Sequence, residues 1–214
     1  MSSPAPLALG VYYHIYSRGN NRQDIFIEER NYAYFLRLYA KHIEPVAETY
    51  AYCLLRNHFH LLIRTKTLAE QAEAFQHDGS GGGAVSGVKA FKPLEPSRQF
   101  GTLFNAYTKA VNKAYGQTGS LFQNPFGRRP VTSDVYFTRL ITYIHQNPQK
   151  HGFVSDFRDW PYSSYHACVS AQPTRVPCKK ILSWFGGLQE LEAAHLAKVD
   201  NQVMLNLIGD DNDD

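Results

Sequence analysis

The 214-residue chain is 43% hydrophobic and 19% charged, which excludes a disordered or fibrous protein and bounds it to a globular fold with one substantial core. No window approaches the roughly 20 uninterrupted apolar residues of a membrane span, and MSSPAPLALG lacks the basic n-region and apolar length of a secretory signal, so a cytoplasmic protein with no membrane partner is expected. With 22 Lys and Arg against 19 Asp and Glu the formal charge is only +3, too little to announce a nucleic-acid binder, although the acidic GDDNDD at 209–214 leaves the remainder more basic than the total.

VYYHIYS, residues 11–17, is rich in tyrosine and β-branched groups and ends at Arg18-Gly19-Asn20-Asn21, the pattern of a strand and a turn. From Glu28 to about Ile43, Tyr32, Phe35, Leu36, Tyr39 and Ile43 recur at helical spacing, and Pro45 closes the helix. Residues 47–55 and 58–65 read as a hairpin joined by Arg56-Asn57, with Asn57 able to take a positive φ. The Gly- and Pro-rich stretch 78–97 reads as a flexible loop. Ser97 offers an N-cap to a helix through about Tyr115 that Gly116 ends. After the extended SLFQNPFGRRPVT, Ser133 caps a third helix from Asp134 to about Gln146, which Pro148 stops. WPYSSYHACV and KKILSWFGGLQELEAAHLAKV are expected to be peripheral additions, the second with a short helix. The order strand, helix, strand, strand, helix, strand is an α+β, ferredoxin-like split βαβ plan: an antiparallel sheet with two helices on one face and a further helix near the other. Cys53, Cys168 and Cys178 are odd in number and lack C-x-x-C spacing, so reduced thiols are expected.

In NHFHLLI, residues 57–63, strand alternation sends His58 and His60 to one side and Phe59 and Leu61 to the other. Paired imidazoles can share a divalent cation, but H-x-H alone fits a solvated polar face equally well. In the helix reading TRLITYIHQNP, Tyr143 and Asn147 are four residues apart and so neighbours on one helical face. The pair sets a hydroxyl beside an amide oxygen able to ligate a metal. A packing tyrosine and a polar helix end would give the same spacing.

Taken together, NHFHLLI, NAYTKAVNKAYGQTGSLFQ, YIHQNPQKHGFV and DWPYSSY resemble the single-tyrosine HUH transposases of the insertion-sequence-200-like superfamily, in particular the REP-associated tyrosine transposases. The resemblance runs from about Tyr12 to about Tyr165 and implies a catalytic domain over 1–170, with 171–214 an appendage carrying a short helix and the acidic tail. It implies His58, His60 and Asn147 as ligands of a divalent cation, Mg²⁺ or Mn²⁺, and Tyr143 as nucleophile. The implied activity is cleavage and joining of single-stranded DNA through a 5′-phosphotyrosine, next to a recognised hairpin, by a monomer or a homodimer.

Candidate DNA contacts are Arg18 and Arg22 after the first strand, Lys109 and Lys113 on the second helix, and Arg128 and Arg129 before the third. Two other readings stay open. A histidine-triad nucleotide hydrolase would want a third histidine where Leu62 stands, and a ferredoxin-like sheet also serves as a non-catalytic DNA- or RNA-binding platform.

Overall fold

The computed structural model describes residues 4–77, 90–170 and 172–197. Strands β1 (Tyr12–Arg18), β2 (Ala47–Leu54), β3 (His58–Thr65) and β4 (Gly127–Pro130) form one antiparallel sheet in the order β2-β3-β1-β4. Helix α1 (Glu29–His42) connects β1 to β2; α2 (Leu68–His77) and α3 (Pro96–Tyr115) lie between β3 and β4, and α4 (Asp134–Lys150) follows β4. This is the expected split βαβ plan with one helix added.

Alternation divides the sheet into two faces. On the first, Phe59 packs its ring 5.6 Å from Phe35 of α1 and 5.8 Å from Phe104 of α3, and those two helices pack on each other. On the second lies α4, whose Phe137 meets Tyr12 and Tyr50 edge-on at 5.2 and 5.5 Å. α1 starts where expected because Glu28 and Asn31 satisfy each other's backbone donors in a capping box. Its Tyr32, Phe35 and Tyr39 form the buried stripe.

Three local expectations are corrected. The N-cap of α3 is Glu95, whose carboxylate accepts from the amides of Ser97 and Arg98 at 2.9 Å each. With Pro96 in the first helical position, where a missing N–H is harmless, Ser97 lies inside the helix and its hydroxyl accepts from the Leu7 amide at 2.8 Å. Asn57 does not adopt a positive φ; among described non-glycine residues only Asn21 and Arg22 do. The hairpin turn is instead held from outside, by the Gly19 amide on the Asn57 carbonyl and the Ile25 and Phe26 amides on that of Arg56, at 2.8 to 2.9 Å. Pro148 does not stop α4, which continues to Lys150. A proline removes one bond to the preceding turn, and here the helix ends two residues later, while the Phe153 amide returns to the Pro148 carbonyl at 2.9 Å.

The segment after α4 is joined to the sheet edge. Trp160 donates through Nε1 to the Leu54 carbonyl, the Leu54 amide donates to Tyr162 and the Ser164 amide to Tyr52, each at 2.9 Å. These bonds cover the outer edge of β2, which would otherwise present unpaired backbone. Beyond it come α5 (Tyr165–Val169), α6 (Cys178–Phe185) and α7 (Leu188–Leu196), two helices in the region where one was expected. Of the expected flexible loop, 78–89 lie outside the described residues, as does the acidic tail at 209–214. Among the described residues no helix is long and apolar enough to cross a membrane.

Candidate metal and tyrosine centre

The register puts His58 opposite Arg18 and His60 opposite Tyr16, and aligns Arg129 of β4 with His14. Because directly opposed residues share a face, His14, Tyr16, Arg18, His58, His60 and Arg129 all lie on the side covered by α4. The two strand imidazoles have ring centroids 5.3 Å apart and nearly perpendicular planes. They are 4% and 2% exposed, which excludes the solvated polar face that the H-x-H spacing left open.

From the helix, the Tyr143 ring lies 5.7 Å from that of His60, and His151, the C-cap of α4, lies 4.8 Å from that of His58. Asn147 is four residues from each, so the same helical stripe carries it between the two contacts. Tyr143 is 3% exposed and Asn147 fully buried, its amide nitrogen donating to the Tyr143 carbonyl at 3.2 Å. The ammonium of the exposed Lys150 sits 4.9 Å from the Tyr143 ring centroid.

The donor set fits a divalent cation. His60 Nε2 and Asn147 Oδ1 are buried with no hydrogen-bond partner, a condition that native proteins rarely tolerate without a role. The other nitrogen of each strand histidine is engaged: His58 Nδ1 lies 2.7 Å from Asn57 Oδ1, and His60 Nδ1 lies 3.0 Å from His14 Nε2. Such outer contacts orient metal-binding imidazoles. Burial first, then the neighbouring imidazoles of His14 and His58, holds the His60 pKa well below the usual histidine range, so the ring is neutral, as a ligand must be. Among the described residues no three His, Cys, Asp or Glu side chains converge on a metal-sized site. A cation here would therefore take two imidazoles and the Asn147 amide, with water or phosphate oxygens completing the shell. Two clefts among the described residues, of about 480 and 670 Å³, lie elsewhere, around Tyr39 and around Phe75; neither is lined by these groups.

The six basic candidates separate. Arg18 and Arg129 share the face of the histidines, and Arg129 Nε lies 3.4 Å from the Tyr16 hydroxyl. Arg22 is exposed in the turn after β1. Arg128 turns to the opposite face, its guanidinium 3.8 Å over the Phe126 ring and 3.4 Å from Ser97 Oγ. Lys109 and Lys113 are exposed on α3, the layer across the sheet from the histidines.

Sequence reasoning missed His14, His151 and Lys150 beside this centre, and also a buried polar chain behind it. His195 of α7 lies 2.8 Å from His145 Nδ1 of α4, and His145 Nε2 lies 2.7 Å from Ser164 Oγ. Burial pushes the His195 pKa down to about 4 and that of His145 also well below its usual range. Only YIHQNP carried a trace of this, since His145 alternates with the stripe of Tyr143 and Asn147; its partners come from distant segments.

A curated protein of Haemophilus influenzae that bears the name REP-associated tyrosine transposase is 31% identical over 125 residues, 58% of this chain and 62% of that protein. The chain thus spans under two thirds of that relative's length. A solved structure described as the REP-associated tyrosine transposase bound to a REP hairpin superposes with a TM-score of 0.55 at 17% identity, covering 81% of this chain and 89% of the other. No protein-family profile matches the sequence. In sequence this chain is similar to a REP-associated tyrosine transposase, and it shares the fold of one, as its histidine and tyrosine motifs indicate.

Proposed function

We propose that the chain is a metal-dependent, single-stranded DNA endonuclease and strand transferase of the REP-associated tyrosine transposase kind, acting through a covalent 5′-phosphotyrosine. The observation that carries the reading is the placement of the Tyr143 ring 5.7 Å from His60, with Asn147 one turn along the same stripe. A hairpin with an adjoining single strand is the partner, in keeping with the REP hairpin to which the structurally similar transposase is bound.

His58, His60 and Asn147 would hold the cation, Mg²⁺ or Mn²⁺, which when bound supplies positive charge to the scissile phosphate. All three ligands are uncharged, so the full charge stays available to the phosphate. The Tyr143 oxygen attacks phosphorus; the bond to the 3′ oxygen breaks, and that oxygen leaves as a hydroxyl after taking a proton. A free phenol loses its proton only near pH of about 10, and the Lys150 ammonium beside the ring favours the phenolate charge that attack requires. Because the phosphoryl bond is conserved as a tyrosyl ester, a second 3′-hydroxyl reverses the step without nucleotide hydrolysis.

The test is incubation with a hairpin oligonucleotide carrying single-stranded flanks, with Mn²⁺, followed by denaturing electrophoresis. A protein–DNA adduct is expected with the unaltered chain and none with Tyr143→Phe. An adduct that persists in Tyr143→Phe would move the nucleophile to another tyrosine. A chain that binds the DNA without any adduct would favour a non-catalytic binding module.

A further inference from the structure

His14 is fully buried on the central strand β1 and belongs to none of the motifs that mark the site. Its register partners are Leu62 and Arg129, so it reaches His60 diagonally across the β1–β3 pair. The two rings stack with centroids 5.2 Å apart at 20°, and His14 Nε2 lies 3.0 Å from His60 Nδ1. Stacking alone would be served by a phenylalanine, with no burial of polar nitrogens. The nitrogen-to-nitrogen contact needs one hydrogen between two imidazoles, and only one of its two arrangements leaves His60 Nε2 with a lone pair. In that arrangement His60 carries its hydrogen on Nδ1 and donates to His14 Nε2. In the other, His60 Nε2 holds the hydrogen and binds no cation.

We infer that His14 is a positioning residue that fixes the tautomer and rotation of His60, presenting its Nε2 to the cation. The inference rests on the reading of His58, His60 and Asn147 as a cation site. The two ligands are then held from behind by different means: His58 by Asn57 of its own hairpin turn, at 2.7 Å, and His60 by a residue 46 positions away in sequence. Tyr16 packs against both imidazoles, its ring centroid 4.9 Å from that of His14 and 6.1 Å from that of His60, and its own ring lies where a Cβ on Gly127 would sit, within 2.2 Å. A glycine at 127 is therefore part of how this stack is kept in place, since any larger residue would displace Tyr16 from its position against the two imidazoles.

Two variants separate the hydrogen bond from the packing. His14→Phe keeps the stack and removes the acceptor; His14→Gln places an amide oxygen near the position of Nε2. In metal-free protein, long-range proton–nitrogen NMR of the His60 ring is expected to show the Nδ1–H tautomer in the unaltered chain and in His14→Gln, and its loss in His14→Phe. Titration calorimetry with Mn²⁺ is expected to show about 10- to 100-fold weaker binding in His14→Phe, and binding within about threefold of the unaltered chain in His14→Gln. Unchanged Mn²⁺ affinity in a folded His14→Phe, or equal weakening in both variants, overturns the inference. If His14→Phe does not fold, an Nε2–H tautomer of His60 in the unaltered chain overturns it just as well. The underlying reading fails separately: Mn²⁺ binding that survives His60→Ala removes the cation site itself and His14's role with it.

Discussion

The two faces of β3 are buried to the same degree and built on different terms. Phe59, Leu61 and Ile63 on one side, and His58 and His60 on the other, are all within 4% of full burial. On the first side Phe59 meets the rings of Phe35, Phe104 and Phe122, and the phenols that α1 and α3 bring to this layer have partners, Tyr39 with Thr49 Oγ1 and Tyr107 with the Ile25 carbonyl. On the second, α4 brings a phenol, an amide and a further imidazole, and leaves His60 Nε2 and Asn147 Oδ1 without protein partners. Burial therefore does not tell core from site in this fold. The fate of the polar atoms does.

The largest effect expected is on the apolar side. Phe59→Ala opens a cavity among Phe35, Phe104 and Phe122 and should lower unfolding free energy by about 3–5 kcal/mol in urea titration. Folded Phe59→Ala should still be stabilised by Mn²⁺ as the unaltered chain is. If the truncation removes the metal effect as well, the two faces are not independent.

Next in size is a pH dependence that only the polar side confers. His195 has its folded pKa depressed to about 4 from about 6.5 in an unfolded chain. The unfolded state then binds the proton more tightly, so the contribution is fully present above pH of about 6.5 and is lost as pH falls through 4. Stability at pH 7 should exceed that at pH 4 by up to about 3 kcal/mol from this group, with the depressed His145 adding in the same sense. Denaturation curves across that range should flatten in His195→Gln; an unchanged slope would mean that the ring is solvated in the folded chain.

His60→Leu should be smaller still in its effect on the metal-free fold, about 1–2 kcal/mol, because it removes the unsatisfied Nε2 but also takes from the buried His14 Nε2 its partner at 3.0 Å. What it should lose is ligand stabilisation, about 2.7 kcal/mol at a Mn²⁺ concentration 100 times the dissociation constant. Thermal denaturation with and without Mn²⁺ measures both, and a retained metal shift would place the cation elsewhere.

The sheet and its two covering helices were legible because alternation and helical spacing are local and agree with the capping residues. That His58 and His60 share one strand face, and Tyr143 and Asn147 one helix face, was legible for the same reason, as spacings of two or four residues within single elements; a joint site was implied only by the family resemblance. α2 was not read, although Thr67 and Glu70 form a capping box that TLAE spells out. His14 and His195 could not be read, because what makes them informative is a partner 46 or 50 residues away. Pro148 misled because a proline's usual effect on a helix is weak within its last turn.

The smallest expected effect concerns charge. By sequence, Arg18, Arg22, Lys109, Lys113, Arg128 and Arg129 form one group of candidate phosphate contacts; the sheet divides them. A strand whose phosphate reaches Tyr143 must pass the face that carries Arg18 and Arg129, so each of these replaced by Gln should reduce the salt dependence of single-stranded DNA binding by about 0.7 in log–log slope. Lys109→Gln and Lys113→Gln, on the far layer, should leave it unchanged. Arg128→Gln should act on stability, since its guanidinium covers Phe126. Fluorescence anisotropy over a salt series distinguishes these outcomes. Equal slopes lost by the lysines would put the DNA path over α1 and α3, on the side of the sheet that has no chemistry to offer it.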